Sequence, residues 1–162
     1  MKQPAAAQAI SVTPAGPRDY ATLTDLHDLC LDPSWGRESM VGIFAAPGAL
    51  GLIARLEGGA VGFALCRRAV EECELLALGV LPARRRRGVA RALIDATIAA
   101  LAKDGVRALF LEVAEDNSAG RALYTAVGFS AVGRRAGYYQ RVCGAPVAAL
   151  VLRKQITLFE DA

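Results

Sequence analysis

The amino-acid sequence predicts a mixed α/β fold, with a mostly antiparallel central sheet of about six to seven strands flanked by about four helices. Three observations carry this expectation. Residues 50–56 and 61–69 are apolar, strand-like runs joined by Glu57-Gly58-Gly59-Ala60, whose glycines admit the positive φ of a tight hairpin. From residue 73 onward strand-like and helix-like patterns alternate: strand over 73–81, helix from 89, strand over 106–114, helix after 117. The composition, 54% hydrophobic and 22% charged over 162 residues, suits a compact chain that needs no disulfide or metal staple. One domain over 1–162 is expected, with a core at about 10–153 and a tail at 154–162.

Taken in order, residues 10–13 read as a first strand. Pro17 opens a helix in which Tyr20, Leu23, Leu26 and Leu29 recur at roughly helical spacing, and a loop with Asp32, Pro33, Ser34 and Trp35 ends it. A short helix over 38–44 precedes the hairpin. The strand over 73–81 is nearly all apolar towards its end, which predicts burial on both sheet faces, and Pro82 stops it. The helix from Val89 carries Ala90, Leu93, Ile94, Thr97, Ile98 and Leu101 on one stripe and closes at Lys103-Asp104-Gly105, a basic turn with a glycine cap. Asn117 is placed to cap a helix whose Ala119, Ala122, Leu123, Ala126 and Val127 follow i, i+3, i+4, i+7 spacing, ended by Gly128. Residues 129–135 and 147–153 read as closing strands, separated by a loop from Gly137-Tyr138-Tyr139 to Pro146.

Several classes are disfavoured. No apolar run approaches the ~20 residues a membrane span requires, and residues 1–9 place Lys, Gln and Pro where a signal peptide needs a hydrophobic stretch, so a cytoplasmic location without membrane contact is expected. Cys30, Cys66, Cys73 and Cys143 form no CxxC pair, which favours reduced structural thiols. His27 stands without another His, a Cys pair or an acidic partner at ligand spacing, so no metal is expected. The formal charge of +3 is too small to point to nucleic acid, yet Arg84, Arg85, Arg86, Arg87 and Arg91 crowd one segment.

That segment links a strand to a helix through Pro82-Ala83-Arg84-Arg85-Arg86-Arg87-Gly88-Val89-Ala90. Amides at a helix start are unpaired and favour an anion, and Gly88 lets the backbone approach a ligand closely. Four arginines beside the positive end of a helix dipole are a local conflict costing up to ~1 kcal/mol per cation. A bound polyphosphate would remove it, met by amides and guanidiniums together. A solvated basic face is the plainer alternative. Walker-type and dinucleotide glycine loops are absent.

Arg85-Arg86-Arg87-Gly88-Val89-Ala90 matches the (Gln/Arg)-x-x-Gly-x-(Gly/Ala) signature of the GNAT superfamily of N-acetyltransferases, and residues 117–129 resemble its Asn-x-x-Ala-x-x-Leu-Tyr-x-x-x-Gly-Phe stretch. Leu78-Gly79-Val80, Leu111-Glu112-Val113 and Arg135-Ala136-Gly137-Tyr138-Tyr139, with Pro33-Ser34-Trp35 more loosely, resemble the bacterial ribosomal-protein N-terminal alanine acetyltransferases. The resemblance implies a sheet splayed near the cofactor, acetyl-CoA as co-substrate, and no metal. It implies that the backbone of Leu78, Gly79 and Val80 pairs with the pantetheine arm. The pyrophosphate would lie on Arg85, Arg86, Arg87, Gly88, Val89, Ala90 and Arg91, with Asn117, besides its cap, in contact with coenzyme A.

Acetyl transfer to an amine needs a proton acceptor and a donor for the departing thiolate. Glu112 lies inside an apolar strand, where burial would make a carboxylate a better base, although an exposed strand-end glutamate is the plainer reading. The resemblance implies that Glu112 is the base and Tyr124 the acid. Tyr124 falls at the margin of an apolar stripe, where a purely structural ring is the alternative. Trp35, Tyr138 and Tyr139, bulky aromatics in expected loops, are candidates for a substrate groove, with core packing as the other explanation. Gly120-Arg121 and Pro146-Val147 depart from the family pattern, which opens the identity of the acceptor.

Three readings follow: acetylation of a protein N-terminal amine such as that of an alanine-starting ribosomal protein, acetylation of a small amine, or non-catalytic acyl-CoA binding. The expected partner is an acceptor protein or a small amine, and the expected state a monomer or weak dimer.

Overall fold

A computed structural model of the chain describes residues 9–158. Most of the stretch weighed as a signal peptide and the end of the expected tail, 1–8 and 159–162, lie outside the described residues. Seven strands form one sheet in the order β1-β2-β3-β4-β5-β7-β6. They are β1 (Ser11–Pro14), β2 (Ala49–Leu56), β3 (Gly59–Ala69), β4 (Glu72–Val80), β5 (Ala108–Ala114), β6 (Ser130–Tyr139) and β7 (Val147–Gln155). The helices are α1 (Tyr20–Cys30), α2 (Gly36–Ala45), α3 (Val89–Lys103) and α4 (Ser118–Ala126). This is the expected mixed fold. Strand β1 pairs antiparallel with β2, as β7 does with β5 and β6. Strands β4 and β5 are parallel, the pairing that requires a crossover, and α3 supplies it.

The chain divides into two compact units. Of the described residues, the first comprises 9–65 and Ala77–Thr97. Its core gathers Leu23, Met40, Ile53, Phe63, Val89, Leu93 and Ile94. Helix α1 buries Leu23, Thr24, Leu26 and His27, whereas Leu29, expected on the same stripe, is 64% exposed. Leu29 follows Leu26 by three residues but lies off the 3.6-residue line that His27 and Cys30 continue. Thr24 tolerates burial by donating its hydroxyl to the Tyr20 carbonyl at 2.8 Å. In the β2–β3 hairpin the positive φ angles fall on Glu57 (54°) and Gly58 (80°), so a glutamate occupies the first left-handed position.

Strand β4 departs from the expected burial on both faces. Cys73, Leu75, Ala77 and Gly79 are buried, while Glu74, Leu76, Leu78 and Val80 are half-buried. The apolar residues on the second face are therefore incompletely covered by protein. The parallel pairing with β5 joins Glu72–Leu75 to Ala108–Leu111, and β4 continues past it to Val80.

Of the described residues, the second unit comprises Cys66–Leu76 and 98–158. Leu101, Val106, Leu109, Leu111, Val127, Phe129, Ala149 and Leu152 are buried in it. Strand β7 runs past the expected end at Arg153 to Gln155, and the buried Ile156 donates its N–H to Arg107 O at 2.8 Å. Strand β6 also runs further than its sequence suggests. It reaches Tyr139 through a register shift after Arg135, so Tyr138 and Tyr139 end a strand rather than begin a loop. None of the four cysteines forms a disulfide among the described residues; Cys66 and Cys73 are buried and Cys143 is exposed.

Candidate active site

The residues expected to hold a cofactor lie mainly in the first unit. After β4, Pro82–Arg84 form a single 3-10 turn, and the chain then passes through Arg86 at φ 63° and Gly88 at φ 81° into α3. A Cβ built on Gly88 would meet nothing within 4 Å, so glycine is demanded by the left-handed backbone and the space beside it is open. The Gly88 carbonyl accepts the first helical bond from Ala92 N–H at 3.0 Å, which leaves the amides of Val89, Ala90 and Arg91 without intrahelical acceptors. Val89 is buried, its Cγ1 facing the space beside Gly62, so only its amide is offered to a ligand.

The arginine conflict is smaller than the sequence suggests. Arg84 pairs with Glu57 at 3.5 Å, Arg91 with Asp95 at 3.3 Å, and Arg85 Nε donates to the Val80 carbonyl at 3.1 Å. Among the described residues, Arg86 and Arg87 alone of the five make no ion pair or side-chain hydrogen bond, and both are exposed. Two unpaired guanidiniums, free amides and a left-handed glycine fit a pyrophosphate. Gly79 also permits a close approach, though of protein rather than of a ligand at its missing side chain. A Cβ there would stand 2.5 Å from Phe63 Cε1 and 2.7 Å from Cys30 Cβ.

Trp35, in the same unit, directly precedes α2 and sets its ring 4.6 Å from that of His27. His27 is fully buried between Trp35 and Phe63, and neither ring nitrogen has a hydrogen-bond partner among the described residues. Burial lowers its pKa from 6.5 against a smaller opposing effect of Asp28.

The second unit holds the candidate acid and base. Glu112, on β5, keeps 18% of its side chain exposed, and its Oε1 lies 3.1 Å from Arg135 Nε. The Arg135 guanidinium stands 5.5 Å from the centre of the Tyr138 ring, which meets Tyr139 edge-on at 5.1 Å. Tyr139 donates its hydroxyl to the Glu112 carbonyl oxygen across 3.5 Å, the long limit for such a bond. Burial raises the Tyr139 pKa, with Glu112 adding to the effect. Tyr124, on α4, packs edge-on against Phe129 at 5.6 Å, and burial, then Tyr139, push its phenol up to about 12. The structure thus brings Glu112, Tyr138 and Tyr139 together. It adds Arg135, whose role the sequence shows only as a residue within a matched motif.

Asn117 caps α4, its Oδ1 accepting from Gly120 N–H at 2.9 Å. Both departures in this helix have local explanations. A Cβ at residue 120 would come within 2.7 Å of Asn117 Nδ2, and Arg121 donates to the Glu115 carbonyl at 2.9 Å.

Comparison with known proteins follows the same lines. A [ribosomal protein bS18]-alanine N-acetyltransferase of Haemophilus influenzae is 37% identical over 92 residues, 57% of this chain and 62% of that protein. The N-alpha-acetyltransferase RimI of Mycobacterium tuberculosis is 44% identical over 96 residues, 57% of this chain and 58% of that protein. The chain thus matches less than two thirds of the length of either relative. In fold it is similar to the crystal structure of the ribosomal-protein-S18-alanine N-acetyltransferase from Escherichia coli, with TM-score 0.86, 24% identity and coverage of 94% of this chain and 97% of that one. Residues 20–129, more than half of the chain, match the acetyltransferase (GNAT) family, and to that family the chain belongs.

Proposed function

We propose that the chain is an N-acetyltransferase that moves an acetyl group from acetyl-CoA directly to the α-amine of a protein N-terminus, such as that of an alanine-starting ribosomal protein. The observation that carries the reading is the cluster of Glu112, Arg135, Tyr138 and Tyr139 on one half of a chain whose other half bears an anion-ready turn. The relatives named for ribosomal-protein alanine support the same acceptor. The turn from Leu81 to Arg91 would hold the pyrophosphate through its amides and through Arg86 and Arg87. The half-buried Leu78 and Val80 offer apolar contact to the pantetheine arm. Part of the backbone there is already engaged, since the Val80 carbonyl accepts from Arg85 and Leu81 N–H donates to Val61 O. Asn117 spends its Oδ1 on the helix cap and has its Nδ2 left for coenzyme A.

Acetyl-CoA, when bound, supplies an acyl carbon activated as a thioester. Glu112 takes a proton from the acceptor ammonium, and the freed nitrogen forms the C–N bond as the C–S bond breaks. Tyr124 gives its phenolic proton to the departing sulfur, and the second proton, which the nitrogen sheds on becoming an amide, restores the phenol. Its raised pKa keeps that proton in place at neutral pH. Tyr138 and Tyr139 line the approach to Glu112, and Trp35 is proposed as a further contact for the acceptor. The reading takes 1–162 as one acetyltransferase domain, with its core at about 10–153, acting in the cytoplasm; no helix of the described residues is long and apolar enough to cross a membrane.

A small-amine acceptor is the second reading. It drew on Gly120-Arg121 and Pro146-Val147, and the first pair is now accounted for by the cap of α4. The test is to incubate the protein with acetyl-CoA and a library of N-terminal peptides beside a panel of small amines, reading the mass gain of one acetyl group. Labelled alanine-starting peptides support the proposal. Labelling confined to small amines transfers it to the second reading, and coenzyme A binding without any label to a sensor.

A further inference from the structure

We propose that Arg135 is a positioning residue that holds the Glu112 carboxylate in the free protein and yields it to the cationic N-terminus of the acceptor, one cation replacing another. The inference rests on the acetyltransferase reading above and concerns how its acceptor is admitted.

Strand β7 lies between β5 and β6, so the Arg135 side chain must cross β7 to reach Glu112. The registers show why it can. Glu112 pairs with Val151 and Val151 with Gly133, while Arg135 is one row along, opposite Ala149. The row of Glu112 therefore ends on a residue without a side chain, and the surface over Val151 is left for the arginine. Beyond Arg135 the register slips: β6 passes from Arg135 to Tyr139 while β7 passes only from Ala149 to Val147, with Gly137 at φ 61°. Bulges of this kind re-aim the side chains beside them. Here the irregular stretch is flanked by the two residues that meet Glu112, the guanidinium of Arg135 and the hydroxyl of Tyr139.

The two partners differ in freedom. Glu112 is mostly covered, whereas Arg135 is 59% exposed, so the arginine is the member that can leave at little cost. The face of Tyr138, already beneath its guanidinium, gives it a resting place. Beside the pair lies a cavity of about 340 Å³ whose wall includes Glu72, Glu74, Phe110, Glu112, Arg135 and Val151. The charged groups on this wall are three carboxylates, Glu72, Glu74 and Glu112, against the guanidiniums of Arg67 and Arg135. Glu74 is tied to Arg67 at 3.3 Å. Departure of Arg135 leaves a surplus of negative charge facing the cavity, which suits an entering ammonium and disfavours an acidic or acylated chain end.

The test measures kcat and the KM of an alanine-starting peptide at saturating acetyl-CoA in the unaltered protein, Arg135→Gln and Arg135→Lys. Removing a cation that competes with the entering ammonium for Glu112 should lower the peptide KM by about 3-fold or more and leave kcat within about 2-fold, because Arg135 has already left Glu112 in the complex. Arg135→Lys should restore the original KM. A fall in kcat at unchanged KM means that Arg135 stays on Glu112 in the complex, and the exchange is wrong. A higher KM, or kcat and KM both impaired without rescue by lysine, makes the residue only structural and overturns the inference. Absence of coenzyme A release from the unaltered protein with any amine would overturn the acetyltransferase reading, and this inference with it.

Discussion

His27, to which the sequence assigns no role, bears on stability through its burial. It is fully buried with both ring nitrogens unpartnered, so its neutral form is the one the fold accepts. Its pKa is lowered from 6.5 in the folded chain, so below that pH the unfolded chain binds a proton that the native chain refuses. Stability should therefore be unaffected by His27 above pH 6.5 and fall as the pH drops towards the folded value. Urea unfolding at pH 7.5 and 5.5 checks this: in His27→Phe, which keeps the aromatic contacts with Trp35 and Phe63, the loss on acidification should shrink. An equal loss in both proteins would assign the acid sensitivity to other groups. At the site itself, Tyr124→Phe retains the ring that packs on Phe129 while deleting the proposed proton donor. Glu112→Gln keeps shape and deletes the proposed base. Each should reduce turnover by roughly 10²- to 10⁴-fold with the melting temperature nearly unchanged. Undiminished turnover in both variants would remove them from the chemistry.

At the scale of the element, the turn into α3 separates arginines that the sequence presents as equivalent. Arg84 and Arg91 spend their charge on Glu57 and Asp95, and Arg85 on a carbonyl, whereas Arg86 and Arg87 have no partner among the described residues. A charge-assisted hydrogen bond is worth roughly 1.5–3 kcal/mol, so Arg86→Gln and Arg87→Gln should each weaken acetyl-CoA binding about 10-fold or more. Arg84→Gln and Arg91→Gln should change it far less, which isothermal titration would show. The same turn illustrates what a sequence does and does not contain. Helical spacing from Val89 and the glycines at 88, 105 and 128, all at positive φ, are local signals, and they located their elements closely. Leu29, the second face of β4 and the extension of β6 to Tyr139 depend on what packs beside them, which no local pattern records. Arg135 eluded assignment for the same reason: its partner lies two strands away, across β7. The roles proposed for Glu112 and Tyr124 rest on resemblance, and composition alone would have left these residues among many polar ones.

At the scale of the whole molecule, β3, β4 and α3 each contribute residues to both compact units. Neither unit can lose its ordered segments without breaking an element that continues into the other. Heating should therefore give one cooperative transition, seen at the same temperature by far-ultraviolet circular dichroism and by fluorescence of Trp35, the single tryptophan. A ligand that binds only the native chain stabilises it in proportion to the logarithm of its excess, about 2.7 kcal/mol when present at 100 times Kd. For a chain of this size each kcal/mol moves the midpoint by about 2–4 °C, so acetyl-CoA at that excess should raise it by roughly 5–10 °C. If the nucleotide is held where the turn suggests, Arg86→Gln/Arg87→Gln should lose most of this rise while melting normally without ligand, because both side chains are exposed and unpaired. Desulfo-coenzyme A, which retains the pyrophosphate and lacks the acyl group, should still give most of the rise in the unaltered protein. A rise that persists in the double variant would place the anion away from α3 and remove the structural basis for reading the turn as a coenzyme site.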